Sequence, residues 1–309
     1  MQGNIEKTAK DVNNYKQDII FYESAREGFS EVLKKVKEQI GEYTLFLPGY
    51  IGYSQNEGSG IYDPVIKNKI NHVFYKMNPK LEIDINDFEN KLNKASGKIM
   101  ILVVHYFGYV DPNIEKIIQI AKSKNAIIIE DCAHALYTDY IDNNCGKYSD
   151  FSIYSLHKML PYTSGGMVKI NNHRIQLKKK EKYYNLLEYD LNGISNKRKE
   201  NAKIIENELI NVKGIEILRL NEKYKNQTPQ TYPILILNKD KNIIYQILNK
   251  RGYGVVSLYH TMIKPLQSSE YENMNFIAHK ILNLPVHQDA NKEQILEMCK
   301  EIKEILGEK

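Results

Sequence analysis

The run Lys98-Ile99-Met100-Ile101-Leu102-Val103-Val104-His105 is almost continuously apolar, and Ala126-Ile127-Ile128-Ile129-Glu130-Asp131 repeats the pattern. Runs of this kind are expected of strands covered on both faces in a parallel sheet. Between them, Asn113 to Ser123 carries Ile114, Ile117, Ile118 and Ala121 at helical spacing. The three pieces form a βαβ unit with short loops, which makes the first half of the chain α/β. Upstream, Phe29 to Ile40 reads as a helix, Thr44 to Leu47 as a strand closed by Pro48-Gly49, Asp63 to Lys69 as a helix, His72 to Tyr75 as a strand and Asn86 to Asn93 as a helix. Downstream, Phe151 to Tyr154 and Gly166 to Ile170 read as strands flanking a polar loop. Arg174 to about Leu209 is charged and helix-like, suited to a long connecting helix whose lysines face solvent. The last third alternates again, with strands at Ile215 to Leu218 and Tyr232 to Leu237 and helices at Lys241 to Asn249 and Lys292 to Leu306. A division near Glu206 is expected, giving a large α/β domain over 1–205 and a smaller α+β domain over 206–309.

Composition narrows the function classes. The 309 residues are 42% hydrophobic and carry 43 Lys+Arg against 38 Asp+Glu, too apolar and too balanced in charge for a disordered chain. No stretch approaches the length of a membrane span, and the polar segment from Met1 to Gln17 lacks the apolar core of a secretory signal. Cys132, Cys145 and Cys299 show neither metal-ligand spacing nor a disulfide framework, so a reducing cytoplasm is expected. The 23 tyrosines are scattered without basic-aromatic repeats, which argues against nucleic acid as a partner.

Ligands of open α/β sheets collect beyond the carboxyl ends of the strands. There the sequence places His105-Tyr106-Phe107-Gly108 after the first run and Asp131-Cys132-Ala133-His134 after the second. Asp131 taken alone reads equally as a helix cap. The loop Ser155-Leu156-His157-Lys158 to Gly165-Gly166 adds a lysine in the same sheet region. A lysine that bonds an aldehyde and an aspartate that holds a pyridinium nitrogen are the two protein groups pyridoxal phosphate chemistry requires.

With these motifs the sequence resembles the DegT/DnrJ/StrS-type nucleotide-sugar aminotransferases. The resemblance runs from Ser24-Ala25-Arg26-Glu27 through Pro48-Gly49-Tyr50, Val104 to Gly108, Glu130 to Ala135 and Ser155 to Gly166, and ends at Asn283-Leu284-Pro285-Val286-His287. It implies the type I fold of pyridoxal phosphate enzymes, with a mostly parallel large-domain sheet. It implies Lys158 as the lysine that bonds the cofactor, Asp131 as partner of the ring nitrogen and His134 near the ring oxygen or substrate. Ser155 and the turn at Ala25 and Arg26 fall where the family binds the phosphate, a helix N-terminus being a natural seat for an anion. Tyr53 is the expected ring-stacking aromatic, with Tyr50 as alternative.

Two departures stand out. After Gly166 the family's motif with a partner-subunit asparagine is missing, leaving Asn192 or Asn196 as substitutes, and Gln55 to Tyr62 forms a glycine-rich insert. The resemblance implies a keto-sugar nucleotide and an amino-acid donor, glutamate foremost, as substrates, and a homodimer as the assembly. Tyr259, His260 and His287 are candidate substrate contacts. The competing readings are a sugar dehydratase of the same fold, in which a histidine replaces the lysine, and a non-catalytic relative serving as a subunit or binding protein.

Overall fold

The computed structural model describes residues 18–55, 60–178, 180–220 and 222–307. Ten strands and nine α-helices succeed one another in the described residues. They are β1 (Ile19–Tyr22), α1 (Ala25–Ile40), β2 (Thr44–Pro48), α2 (Asp63–Lys67), β3 (His72–Tyr75), α3 (Ile85–Lys94), β4 (Ile99–Val104), α4 (Ile114–Ser123) and β5 (Ile127–Asp131). There follow α5 (Leu136–Tyr140), β6 (Phe151–Ser155), β7 (Gly166–Ile170), α6 (Leu191–Leu209), β8 (Ile215–Ile217), β9 (Thr231–Ile236), α7 (Lys241–Lys250), α8 (Glu272–Lys280), β10 (Ile281–Pro285) and α9 (Lys292–Leu306).

Seven strands form one sheet in the order β1-β7-β6-β5-β4-β2-β3. β7 runs antiparallel to both its neighbours, and the pairs from β6 across to β3 are parallel. Every residue of β4 is buried, as its unbroken apolar run demands. β10, β9 and β8 make a second, antiparallel sheet of three strands.

Two cores result. One lies on the large sheet and also takes in Tyr259, Met262, Tyr271 and Ile277 from late in the chain. The other gathers Ile234, Leu282 and Leu284 of the small sheet with Ala202, Ile205 and Leu209 of α6 and Ile295, Met298 and Ile302 of α9. The helix that contains Glu206 thus packs with the small sheet from Ala202 onward, whereas α8 returns to the large sheet through Met274 and Ile277.

The segment after β7 departs from expectation. Instead of one long helix from Arg174, the chain runs irregularly to Asp190, apart from a short turn at Leu186–Glu188, and α6 begins only at Leu191. Its charges are satisfied across space: Lys180 pairs with Glu27 and Lys182 with Glu23, both beside the start of α1. Tyr184 packs on Phe21 and Tyr162, with ring centroids 5.6 and 4.9 Å apart. These contacts hold the segment against the sheet edge and replace the solvated helix face. β1, α5, α8 and β10 are further elements with no counterpart in the sequence reading; each is short, and β1 is an edge strand.

Candidate active site

At the carboxyl ends of β4, β5 and β6 opens a cleft. Ser24, Ala25 and Arg26 at the start of α1, His105 after β4, Asp131 and His134 at and after β5, Ser155, His157 and Lys158 at and after β6, and Tyr259 all line it. The pleat explains the aspartate. In register, Asp131 lies between Val104 of β4 and Ile153 of β6, both cleft residues, while Glu130 one step earlier takes the opposite face beside Ser152.

Asp131 accepts the Ala133 N–H at 2.8 Å. Burial raises its pKa, opposed by that N–H and by the charges of Lys158 and His105. Such a carboxylate gains from a cationic partner inside the cleft. His134 accepts the Phe107 N–H at Nδ1, 3.3 Å away, and its Nε2 lies 3.0 Å from Lys158 Nζ. Burial and then the Lys158 charge hold the His134 pKa well below its ordinary value. The ring is therefore neutral, and with Nδ1 accepting, its proton sits on Nε2 facing the lysine. Phe107 reaches this position with φ of 61°, a conformation rare for a side-chain-bearing residue, and its ring stacks on His134 at 6.4 Å.

Behind Asp131, on the other face of β5, lies a fully buried pair. His105 Nε2 and Glu130 Oε1 are 2.9 Å apart, and Glu130 also receives the N–H groups of Gly146 and Tyr148 and the Ser149 hydroxyl. Burial works against the His105 charge, yet neighbouring Cys132 and Glu130 push its pKa up to about 10. Burial opposes the Glu130 charge too, but His105 and the N–H donors bring its pKa below the ordinary value. The ligand atoms of His105, Cys132 and Cys145 lie within 4.8 Å of one another, a grouping their separation in sequence hides. Burial raises the pKa of both thiols.

The remaining expected residues divide. Ser155, only 3% exposed, turns toward the cleft with its Oγ 3.4 Å from His157 Nδ1. Ala25 and Arg26 form the first turn of α1, whose N-cap Ser24 accepts the Glu27 N–H. The turn abuts Gly166, where a Cβ would come within 2.2 Å of the Ser24 carbonyl carbon, so only glycine lets α1 begin there. Tyr50 and Tyr53 are outside the cleft lining. Tyr50 donates to Leu258 O at 3.0 Å and meets Tyr106 and Tyr259 edge-on, while Tyr53 packs against Tyr62. Of the candidate substrate contacts, Tyr259 lines the cleft; His260 and His287 are exposed elsewhere. Asn192 and Asn196 are exposed on α6. Part of the Gln55 to Tyr62 insert, residues 56–59, lies outside the described residues; Gly60 and Ile61 line the cleft. His105 and His157 line the cleft; the sequence reading quoted both within motifs and gave neither a role in the site. The Ser-x-His-Lys spacing was the one signal for His157.

A buried serine hydroxyl, a glycine-backed helix start, a half-buried aspartate and a lysine in one cleft fit a phosphorylated pyridine aldehyde, and with this sheet they define a pyridoxal 5'-phosphate enzyme of the type I fold. Residues 61–186 and 187–303 match the DegT/DnrJ/EryC1/StrS aminotransferase family, and the chain belongs to that family of sugar aminotransferases. It is 23% identical over 280 residues to the uncharacterized protein MJ1066 of Methanocaldococcus jannaschii, covering 73% of this chain and 71% of that one. It is 26% identical over 250 residues to UDP-4-amino-4,6-dideoxy-N-acetyl-beta-L-altrosamine transaminase of Campylobacter jejuni strain 81-176, covering 68% of this chain and 66% of the relative. Among solved structures, the putative sugar aminotransferase Spr1654 of Streptococcus pneumoniae in its pyridoxal phosphate form superposes with a TM-score of 0.74 at 15% identity, over 96% of this chain and 89% of the other. At that identity the likeness speaks for the fold.

Proposed function

We propose that the protein transfers an amino group from an amino acid, glutamate foremost, to a keto-sugar nucleotide in surface-polysaccharide or amino-sugar biosynthesis. The observation that carries this reading is the convergence of Lys158, His134 and Asp131 on one cleft. When bound, pyridoxal phosphate supplies an aldehyde for lysine and substrate amines and a ring that accepts the electrons left when a carbon loses its proton. Asp131 would hold the ring nitrogen in its protonated form, and Lys158 would hold the aldehyde carbon and supply the amine that carries a proton. His134, 3.0 Å from the Lys158 nitrogen, would keep it oriented, and Ser155 with the Ala25–Arg26 turn would receive the phosphate. Lysine at position 158 favours transfer over the dehydratase reading, which has histidine there. We propose a homodimer in the cytoplasm as its setting, as the family resemblance implies. Among the described residues, no helix is long and apolar enough to cross a membrane.

The test is direct. Purified protein given pyridoxal phosphate should turn yellow, borohydride should fix the label on Lys158, and glutamate should bleach the band. A label on another lysine, or no uptake, would refute the assignment of Lys158. Failure of every amino acid to bleach the band would refute the transfer.

A further inference from the structure

We propose that His105, Cys132 and Cys145 form a binding site for a thiophilic divalent cation of the zinc class, set behind Asp131. The site is separate from the function proposed above and does not rest on it.

Three stretches distant in sequence supply the ligands. His105 follows β4, Cys132 follows β5, and Cys145 lies in the loop between α5 and β6. All three side chains are fully buried, and their ligand atoms lie within 4.8 Å of one another. The two sulfurs are 4.0 Å apart. Thiolates held at about 2.3 Å by one tetrahedral ion stand about 3.8 Å from each other, so the pair has only a few tenths of an ångström to move. The backbone is already set: the His105 N–H donates to Asp131 O at 3.1 Å and the Cys132 N–H to Ile153 O at 2.8 Å.

The imidazole is what singles this group out. Its Nε2 is taken by Glu130 at 2.9 Å, while Nδ1 is buried without an oxygen or nitrogen partner. A polar atom left so costs free energy until something takes it. Metal-ligating histidines characteristically give their other ring nitrogen to a carboxylate, which fixes the ring and its tautomer. Glu130 is placed as that carboxylate, itself held by the Gly146 and Tyr148 N–H groups and the Ser149 hydroxyl. A simple contact between two thiols would account for the sulfurs and leave Nδ1 unexplained. Binding sends the two thiol protons and the Nδ1 proton to solvent, and the two thiolates cancel the charge of a divalent ion. Two sulfurs and an imidazole select a soft or borderline ion over magnesium or calcium, which take oxygen ligands. Three protein ligands leave one tetrahedral position for water, and His105 borders the cleft, which gives the ion a way in. An ion here ties the ends of β4 and β5 to the loop before β6, directly behind the aspartate.

The test is a titration of the reduced, chelator-stripped full-length protein with cobalt(II), followed by zinc. One equivalent of cobalt should give the near-ultraviolet charge-transfer band of thiolate ligation, and zinc should remove it. Cys132→Ser and Cys145→Ser should each weaken cobalt binding about a hundredfold or more, whereas Cys299→Ser should bind as the wild type does. Zinc should also raise the urea midpoint of the wild type and leave that of Cys145→Ser in place. Absence of the band in the wild type overturns the site, and so does a band that survives in Cys145→Ser or disappears in Cys299→Ser. Where a serine variant does not fold, the wild-type spectrum decides alone: an intensity matching two thiolates supports the site, and one or none overturns it.

Discussion

The large sheet and the small one are built by the same rules and end differently. In the small unit, Ile234, Leu282 and Leu284 meet Ile205, Met298 and Ile302 in an apolar core. In the large sheet the strands are buried along nearly their whole length, and at or just past their ends Asp131, Ser155 and Lys158 face a cleft. The difference separates two uses of a strand end: in the small unit the sheet closes over a core, and in the large sheet polar side chains at the strand ends face a cleft open to a ligand. Stability should therefore be concentrated in the first arrangement and activity in the second, and single substitutions can pull the two apart.

The largest effect is expected at the cleft. Lys158→Ala removes the nucleophile and the proton carrier together and should lower kcat/KM by at least about 10³-fold. Its stability should change by less than about 1 kcal/mol, because the side chain is half-buried at a cleft wall and leaves no closed cavity. Steady-state kinetics and urea unfolding on the same preparation check both halves. A variant that unfolds early would erase the contrast.

Leu284→Ala is the mirror experiment. Leu284 is fully buried in β10 and pairs in register with Tyr232. Removing three carbons there should cost about 2–5 kcal/mol of stability, with turnover per folded molecule unchanged. Loss of turnover at full folding would mean that the small sheet positions the cleft as well as closing its own core.

How much of this contrast was legible in the sequence depends on whether the relevant contacts are local. β4 and β5 were legible because burial on both faces leaves a continuous apolar run, and Asp131 because it ends one. Lys158 became legible only as a partner to that aspartate. The run from Lys178 to Lys182 misled because helical charge spacing says nothing about whether the counter-charge lies four residues away or across space, here at Glu23 and Glu27. β10 was quoted as a motif, Asn283 to His287, and missed as a strand, since five residues containing an asparagine and a proline carry little β signal. Tyr50 and Tyr53 were indistinguishable in sequence, and the path of the loop after Pro48 takes both outside the cleft lining. The grouping of His105 with Cys132 and Cys145 needed three separate strand ends and loops to meet, which no spacing rule encodes.

The smallest effect sharpens the comparison through pH. His134 belongs to the site, and its pKa is held well below 6.5 by burial and by Lys158. The folded protein keeps it neutral while the unfolded chain takes up a proton below about pH 6.5. The unfolded state then binds more protons, so stability falls as the pH drops, by up to about 1.4 kcal/mol per unit from this group. His105 contributes nothing to that slope: with a folded pKa of about 10, its stabilisation is complete below pH 6.5 and is lost only as the pH rises toward 10. Glu130, lowered in the folded state, acts in the acid range below its ordinary value near 4.5. Between pH 6.5 and 5.5 the difference between wild type and His134→Gln therefore isolates His134. Urea unfolding should show the wild type losing about 1 kcal/mol more than the variant across that interval, and parallel curves would show that His134 is not held neutral beside Lys158.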